Sequence, residues 1–556
     1  MLFVFSQFRD VLLEVTTESQ NQAIQKEILQ VIASKVRKKI REDVGDSKFC
    51  IIVDEARDES KREQMALVLR FVDGEGFIQE RFFDLSHVKD TGAATLKNEI
   101  CVILSRHSLD VQNIRGQGYD GASNMRGEWK GLQALFLNDC PYTYYVHCFA
   151  HRLQLALVAA SREVIPVHNF FSHLSFVINV VVSSCKCHDE LQDAQIEEIA
   201  HLLSIDELES GKGANQIGTL KRPSDTRWSS YFLSLCSLVR LFGPTIAVLE
   251  KIEKESSNYC QLGDANAACK MVTSFEFIFI LHLMKEIMGI TNGLCQALQQ
   301  KNQDILNAMH LVSDTKALIQ KFREDGWENF LGKVISFSNK YEIDIPDLNA
   351  PYFEGRSRRR KRDVTLEHHF HVDIFVAAID VQLQELNCRF GESAMELLTL
   401  GSALEPKNAY KSFNIETICL LVEKYYPLDF TEQEKINLRF QLRSFEIDVH
   451  SHPELQSLSS IPQLCRRLVE TERVSRYYLI DRLIRFILTL PVSTATSERA
   501  FSAMKIIKTR LRNKMEDDFL ADNLAVYIER EIAKSFNSDS ILDGFSSIKE
   551  RRVLFK

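Results

Sequence analysis

Three carboxylates in this chain stand where a fold could turn them into ligands for metal ions. Asp54 closes the apolar run Phe49-Cys50-Ile51-Ile52-Val53, and Asp120 closes Ile114-Arg115-Gly116-Gln117-Gly118-Tyr119. Glu498 follows the small residues Ser493-Thr494-Ala495-Thr496-Ser497, where an apolar, basic helix begins. Carboxylate oxygens are hard ligands that suit Mg²⁺ or Mn²⁺. Two such ions activate water and stabilise the leaving oxygen in phosphodiester cleavage. Context singles these three out from 76 acidic residues. Each also has an ordinary reading: a strand-end Asp, a turn Asp before Gly121, and a first-turn helix acid favoured by the dipole. Glu55, Asp58 and Glu59 read as solvated acids beside Asp54.

Positioning these residues requires a sheet. Residues 18–44 space Ile24, Ile28, Val31, Ile32, Val36 and Ile40 as an amphipathic helix. Strands are predicted over 49–54, 64–72 and 77–88, the last two joined by the turn Asp73-Gly74-Glu75-Gly76. A helix over 91–107, a strand over 111–119 and another over 142–148 complete the order βββαβαβ. That is an RNase H-like order. Its first and fourth strands can lie side by side, bringing Asp54 and Asp120 to neighbouring strand ends. Gly116 and Gly118 also suggest a phosphate loop, but no Lys-Ser/Thr follows, which excludes a P-loop.

From about 160 to 460 the pattern is helical, with an acidic loop at 206–218 and the basic linker Arg358-Arg359-Arg360-Lys361-Arg362. That linker reads as a nuclear import signal, a DNA-backbone contact or a solvated connection. Arg499, Lys505, Lys508, Arg510, Arg512 and Lys514 crowd the helix that carries Glu498. Such a basic face suits phosphates, because backbone contacts dominate DNA affinity, or it is simply a solvated helix face. The apolar stripe Phe519, Leu520, Leu524, Val526, Tyr527 and Ile528 ordinarily packs into its own domain.

Composition sets the outer bounds. The 556 residues, 45% apolar and 26% charged, predict two to four globular domains. A net charge of −8 excludes a generally basic nucleic-acid coat, so any DNA contact is local. Thirteen cysteines without a CxxC pair fit reduced thiols. No apolar run is expected to approach the ~20 residues that span a bilayer, which predicts a soluble chain without a membrane partner.

Five motifs in order carry a family resemblance: Val53-Asp54-Glu55, Gly116–Met125, His147-Cys148-Phe149-Ala150-His151-Arg152, Asp225-Thr226-Arg227-Trp228 and Ser493–Ser502. Together they resemble transposases of the hAT (hobo/Activator) superfamily, close to plant TTF-type or MYM-type zinc-finger-like proteins. The resemblance implies that Asp54, Asp120 and Glu498 form a catalytic acidic triad holding two Mg²⁺ (or Mn²⁺) ions. It implies that Cys148 and His151 support the site from behind. Read as zinc ligands, they have only Cys140 and His147 nearby to complete a set of four. Arg227 and Trp228 are expected to bind DNA, the Trp by stacking on unpaired bases; packing inside the helical block is the alternative. The family usually begins with a zinc finger that recognises transposon ends, whereas the first cysteine here is Cys50; the partner that the resemblance implies is DNA, either transposon ends or sites derived from them.

The expected architecture is an α/β RNase H-like catalytic core interrupted by a large all-α insertion, with a C-terminal helical dimerisation region. Its parts are an N-terminal helical segment (1–46), the first part of the core (47–160), the insertion (161–459, with the basic linker near 355–363), the core helix and dimerisation region (460–535) and a tail (536–556). Two functions fit. One is a DNA-cleaving and strand-transferring transposase or derived nuclease. The other is a domesticated, catalytically silent, dimeric nuclear factor that binds DNA or protein.

Overall fold

Residues 49–88 form three consecutive antiparallel strands: β1 (Phe49–Arg57), β2 (Glu63–Val72) and β3 (Ile78–Val88). The computed structural model describes residues 22–205, 208, 211, 215–222, 228–353, 361–391 and 394–548. β4 (Ile114–Tyr119) and β5 (Tyr144–His147) add in parallel, giving the order β3-β2-β1-β4-β5. Residues Cys50–Val53 of β1 and Met65–Leu69 of β2 are fully buried. Continuous apolar runs of this kind arise where both faces of a strand are covered.

The chain divides into two compact units. The first gathers Met1–Arg152, Ala297–His310 and Glu392–Lys556, and the second Leu153–Gln296 and Leu311–Gly391. In the first unit the sheet shares one core with helices Gln22–Val44, Ala93–Arg106, Ala495–Ile507 and Asp517–Ile528. Leu520, Leu524 and Val526 are buried in that core, with Phe519, Tyr527 and Ile528 partly buried against it. Residues 536–556 were expected to be a tail, but they contain helix Ser538–Ser547, whose Ile541 and Phe545 are buried in the same core.

Division by compactness also departs from the expected 161–459 block. Residues 392–459 belong with the sheet because Asp429 forms a buried ion pair with Arg115 of β4 (2.5 Å) and helix Glu432–Ser451 packs on helix Tyr478–Thr489.

Among the described residues, the regular structure of the second unit is helical apart from the ribbon β6 (Pro351–Phe353) and β7 (Lys361–Thr365). These strands flank the basic stretch taken for a linker. Residues 354–360 lie outside the described set, and Lys361 and Arg362 begin β7. One expectation fails in this unit. Helix Phe275–Leu298 is long and apolar enough to cross a membrane by length and composition, with 61% of its most apolar window buried inside the protein. Its Phe279 packs against Phe330 and Phe370 at ring distances of 5.1 and 4.9 Å.

Candidate active site

Strand register brings the first two carboxylates together. β1 and β4 run in parallel with Ile52 opposite Gly118, and Asp54 and Asp120 each lie two residues further along. They therefore face the same side of adjacent strands, which lie ~4.8 Å apart. Asp54 is not the end of its strand, as the sequence suggested. β1 runs on to Arg57 through pairing with β2, while β4 stops at Tyr119 and leaves that edge of β1 open beside Asp54.

Glu498 arrives on the first turn of helix Ala495–Ile507. Its approach is fixed by close packing. A Cβ on Gly118 would lie 2.9 Å from Pro491 Cβ, and one on Gly116 3.2 Å from Pro491 Cδ. The glycines that looked like a phosphate loop thus make room for the Leu490-Pro491 segment. Beyond it, the Phe149 amide donates to the Val492 carbonyl (2.9 Å). Cys148 Sγ accepts from the Thr494 amide (3.2 Å), the Thr494 hydroxyl (3.4 Å) and the His151 amide (3.5 Å). Burial pushes the Cys148 thiol pKa up, so it acts as a neutral sulfur.

Two residues later the Thr496 hydroxyl donates to Glu80 Oε2 (2.5 Å) and accepts from Arg499 Nη2 (2.6 Å). Glu80 is paired with fully buried Arg70 (2.7 Å), whose guanidinium also donates to the carbonyls of Gln303 (2.7 Å) and Leu488 (3.1 Å). Ser493, Thr494, Thr496 and Ser497 are all buried. The small hydroxyl run is therefore an anchored entry to the Glu498 helix. Neither Arg70 nor Glu80 was singled out in the sequence. Their signal was a charged residue inside each of two apolar strands, placed directly opposite one another across β2 and β3.

Electrostatics tie the carboxylates into one cluster. Asp54 is pushed up to about 7 by burial and by the charges of Asp120, Glu498 and Glu55, against a hydrogen bond from the Glu55 amide (2.9 Å). Glu55 is also pushed up to about 7, by burial and Asp120 first, against a hydrogen bond from Asn124 Nδ2 (3.2 Å). Glu55 was read as a solvated acid, but it belongs to the cluster. Asp120 Oδ1 accepts from the Ala122 amide (3.0 Å), and the Tyr145 hydroxyl donates to the Asp120 carbonyl (2.8 Å). Four oxygen donor groups that repel one another suit a hard divalent cation. As placed, however, no three His, Cys, Asp or Glu side chains among the described residues converge on one ion. Asp54 and Asp120 each spend an oxygen on a nearby backbone amide. That result covers Cys140, His147, Cys148 and His151 as a zinc set as well.

Of the expected DNA contacts, Lys508 requires correction. It is 1% exposed and bonded to Asp58 Oδ2 at 2.7 Å, so it is a buried ion-pair partner and cannot reach a phosphate. Asp58, expected to be solvated, is buried by the same pair. Arg499, Lys505 and Arg510 are exposed and Arg512 is half-buried. Arg499 is not a free cation, because Nη1 also donates to the Gln299 carbonyl (3.0 Å). Arg227 lies outside the described residues, and Trp228 opens helix Trp228–Arg240 in the second unit.

Comparison with known families puts both halves of the cluster in context. A model described as the ZMYM1/FAM200 RNase-like domain matches residues 5–131, which include Asp54 and Asp120. A model of the hAT family C-terminal dimerisation region matches residues 469–532, which include Glu498. The chain is hAT-like. A Homo sapiens protein named "52 kDa repressor of the inhibitor of the protein kinase" is 21% identical over 521 residues, covering 90% of this chain and 64% of that protein. The Mus musculus protein of the same name is 21% identical over 519 residues, with the same coverage. The hAT-like chain thus spans about 64% of the length of the curated relatives it matches.

Proposed function

We propose that this hAT-like chain is a DNA-acting protein whose RNase H-like core, formed by residues 47–160 and 460–535 around a helical insertion, cleaves and transfers DNA strands. The observation that carries this reading is the in-register placement of Asp54 and Asp120 on parallel neighbours, with Glu498 close enough to raise Asp54. Asp54, Asp120 and Glu498 would hold Mg²⁺ or Mn²⁺, with Glu55 beside them. Such ions supply an activated water and charge stabilisation of the leaving oxygen. The chain's own residues do the positioning. Asp54 is fixed by β1, Asp120 by the turn it caps, and Glu498 by the contacts of Thr494 with Cys148 and of Thr496 with Glu80. Lys505 on the Glu498 helix and Arg510 on the short turn beyond it are exposed and would contact phosphates, and Arg227 and Trp228 would add DNA contacts from the helical unit.

The same reading makes the 469–532 region a homodimer or higher-oligomer contact and the nucleus the site of action. Since the Leu520, Leu524 and Val526 stripe is buried within its own unit, a partner would meet other residues of the region, such as Ile506 (63% exposed) and Leu511 (97% exposed).

A second reading is favoured by two observations: the carboxylates do not converge as placed, and the curated relatives carry a repressor name. In it, the chain is a domesticated, catalytically silent, dimeric nuclear factor. The test combines divalent-metal binding with cleavage of branched or pre-nicked DNA, comparing wild type with Asp54→Ala, Asp120→Ala and Glu498→Ala. Metal-dependent cleavage lost in all three variants supports the enzyme. Neither binding nor cleavage supports the silent factor.

A further inference from the structure

Trp129 is 87% exposed, although an indole is among the side chains that gain most from burial. It sits at the tip of a short loop that the backbone holds rigidly. The Gly131 amide donates to the Gly127 carbonyl (2.9 Å), and the Gly127 amide to the Ser123 carbonyl (3.0 Å). A Cβ on Gly131 would lie 2.3 Å from the Gly127 nitrogen, and one on Gly127 2.8 Å from the Ser123 oxygen. Both clashes are backbone against backbone, so the loop base closes only with glycine at these two positions.

This loop grows from the carboxylate cluster. Helix Ser123–Arg126 starts at the turn capped by Asp120, and its Asn124 donates to Glu55 (3.2 Å) and to the Thr91 carbonyl (2.8 Å). Arg126 lies close enough to act electrostatically on Tyr145, whose hydroxyl holds the Asp120 carbonyl. Trp129 follows Asn124 by five residues, a reach of at most ~17 Å even for extended chain. Arg126, Glu128 and Lys130 are all exposed around it, two cations against one acid.

A rigid, solvent-facing π surface flanked by cations at the rim of a phosphodiester site has the chemistry of single-strand recognition, with bases on aromatic faces and phosphates on cations. A base inside a duplex offers no free face. We propose that Trp129 stacks on an unpaired base of the DNA strand bound at the carboxylate cluster, with Arg126 and Lys130 on adjoining phosphates. This rests on reading that cluster as a DNA site.

The test titrates the full chain with a gapped DNA duplex and with the same duplex fully paired, in Ca²⁺ to neutralise the carboxylates. Fluorescence anisotropy reads affinity, and indole emission reads contact with the ring. Because the side chain is exposed, Trp129→Ala should fold normally, and circular dichroism checks this. Trp129→Ala should weaken binding to the gapped DNA about five- to 150-fold, the range for one stacked base, and hardly change binding to the paired duplex. Trp129→Phe should retain most of the affinity. Equal binding of gapped DNA by wild type and Trp129→Ala overturns the inference and leaves the DNA-site reading standing, as does an equal loss for both DNAs. Failure of wild type to bind either DNA overturns both. Self-association that disappears in Trp129→Ala, with DNA binding unchanged, assigns the indole to a protein contact and also overturns it.

Discussion

Replacing Lys508 by methionine removes the ammonium but keeps most of the side-chain volume. Lys508 Nζ lies 2.7 Å from Asp58 Oδ2, and the two side chains are 1% and 0% exposed. Taking one partner from such a pair leaves an uncompensated buried charge, which costs about 3–5 kcal/mol. Asp58 keeps hydrogen bonds from the amides of Ser60 (2.7 Å) and Arg62 (3.0 Å) and from Gln64 Nε2 (3.0 Å). These place the expected loss toward the lower end, about 3 kcal/mol. Lys508→Met with Asp58→Asn removes both charges and should recover most of that loss.

The pH dependence follows from the same pair. Burial pulls the Asp58 carboxyl up, but hydrogen bonds from Lys508, the Arg62 amide and Gln64 outweigh it, so its pKa lies below the ordinary value. Its contribution is therefore fully present above the unfolded pKa of ~3.9 and is lost as pH falls through the lower folded value. Without Lys508 that acid-side loss should shrink. Urea unfolding followed by circular dichroism at pH 7 and pH 3 measures both effects. Unchanged stability in Lys508→Met, with weaker DNA binding and a shallower salt dependence, would refute the reasoning and make Lys508 a phosphate contact after all.

Asp54→Asn should stabilise the metal-free protein at pH 8 while abolishing metal-dependent cleavage. Asp54 and Glu55 hold protons up to about 7, so between pH ~4 and ~7 the folded state binds more protons and wild-type stability falls as pH rises. Urea midpoints at pH 5 and pH 8 should differ less in the variant. Thr496→Val strands the Glu80 and Arg499 contacts and should cost about 1–3 kcal/mol, with divalent-metal affinity falling as the Glu498 helix loosens; calorimetry reads both. Gly118→Ala forces a methyl to within 2.9 Å of the stiff Pro491 ring and should cost about 1–3 kcal/mol in urea unfolding. Leu524→Ala should destabilise the first unit by about 2–5 kcal/mol without altering oligomer size in light scattering, because its side chain fills the chain's own core.

The parts legible in the sequence were those that repeat locally. Apolar runs and turn chemistry outlined the five strands of the main sheet, though not the β6–β7 ribbon, and their order set Asp54 and Asp120 on neighbouring strands; the register that pairs Ile52 with Gly118 came only with the fold. Less legible was whatever depends on a partner distant in sequence. Lys508 looked like one more cation on a basic helix, and only the arrival of Asp58, 450 residues earlier, buries it. Glu55 and Asp58 looked alike as exposed acids until Asn124 and Lys508 met them. Arg70 and Glu80 lay in full view as charges within apolar strands, yet their purpose depends on Thr496 and on the Gln303 and Leu488 carbonyls. Residues 277–298 read as helical, but their length as an apolar element was discounted because Lys285 and Glu286 interrupt them.

Because the first unit is threaded from three stretches of chain, its acidic cluster exists only after nearly all of the polypeptide has been made. Asp54 and Asp120 emerge early, but Glu498 and the helices that cover Gln22–Val44 come last. A ribosome-bound chain therefore displays an open sheet with two acids and no third, and long-range closure of this kind is slow and exposed to misassembly. Any cleaving activity would thus be withheld from unfinished chains by topology alone. A message truncated before residue 490 would yield a sheet lacking its lid and prone to self-association, with no means of harming DNA through this site.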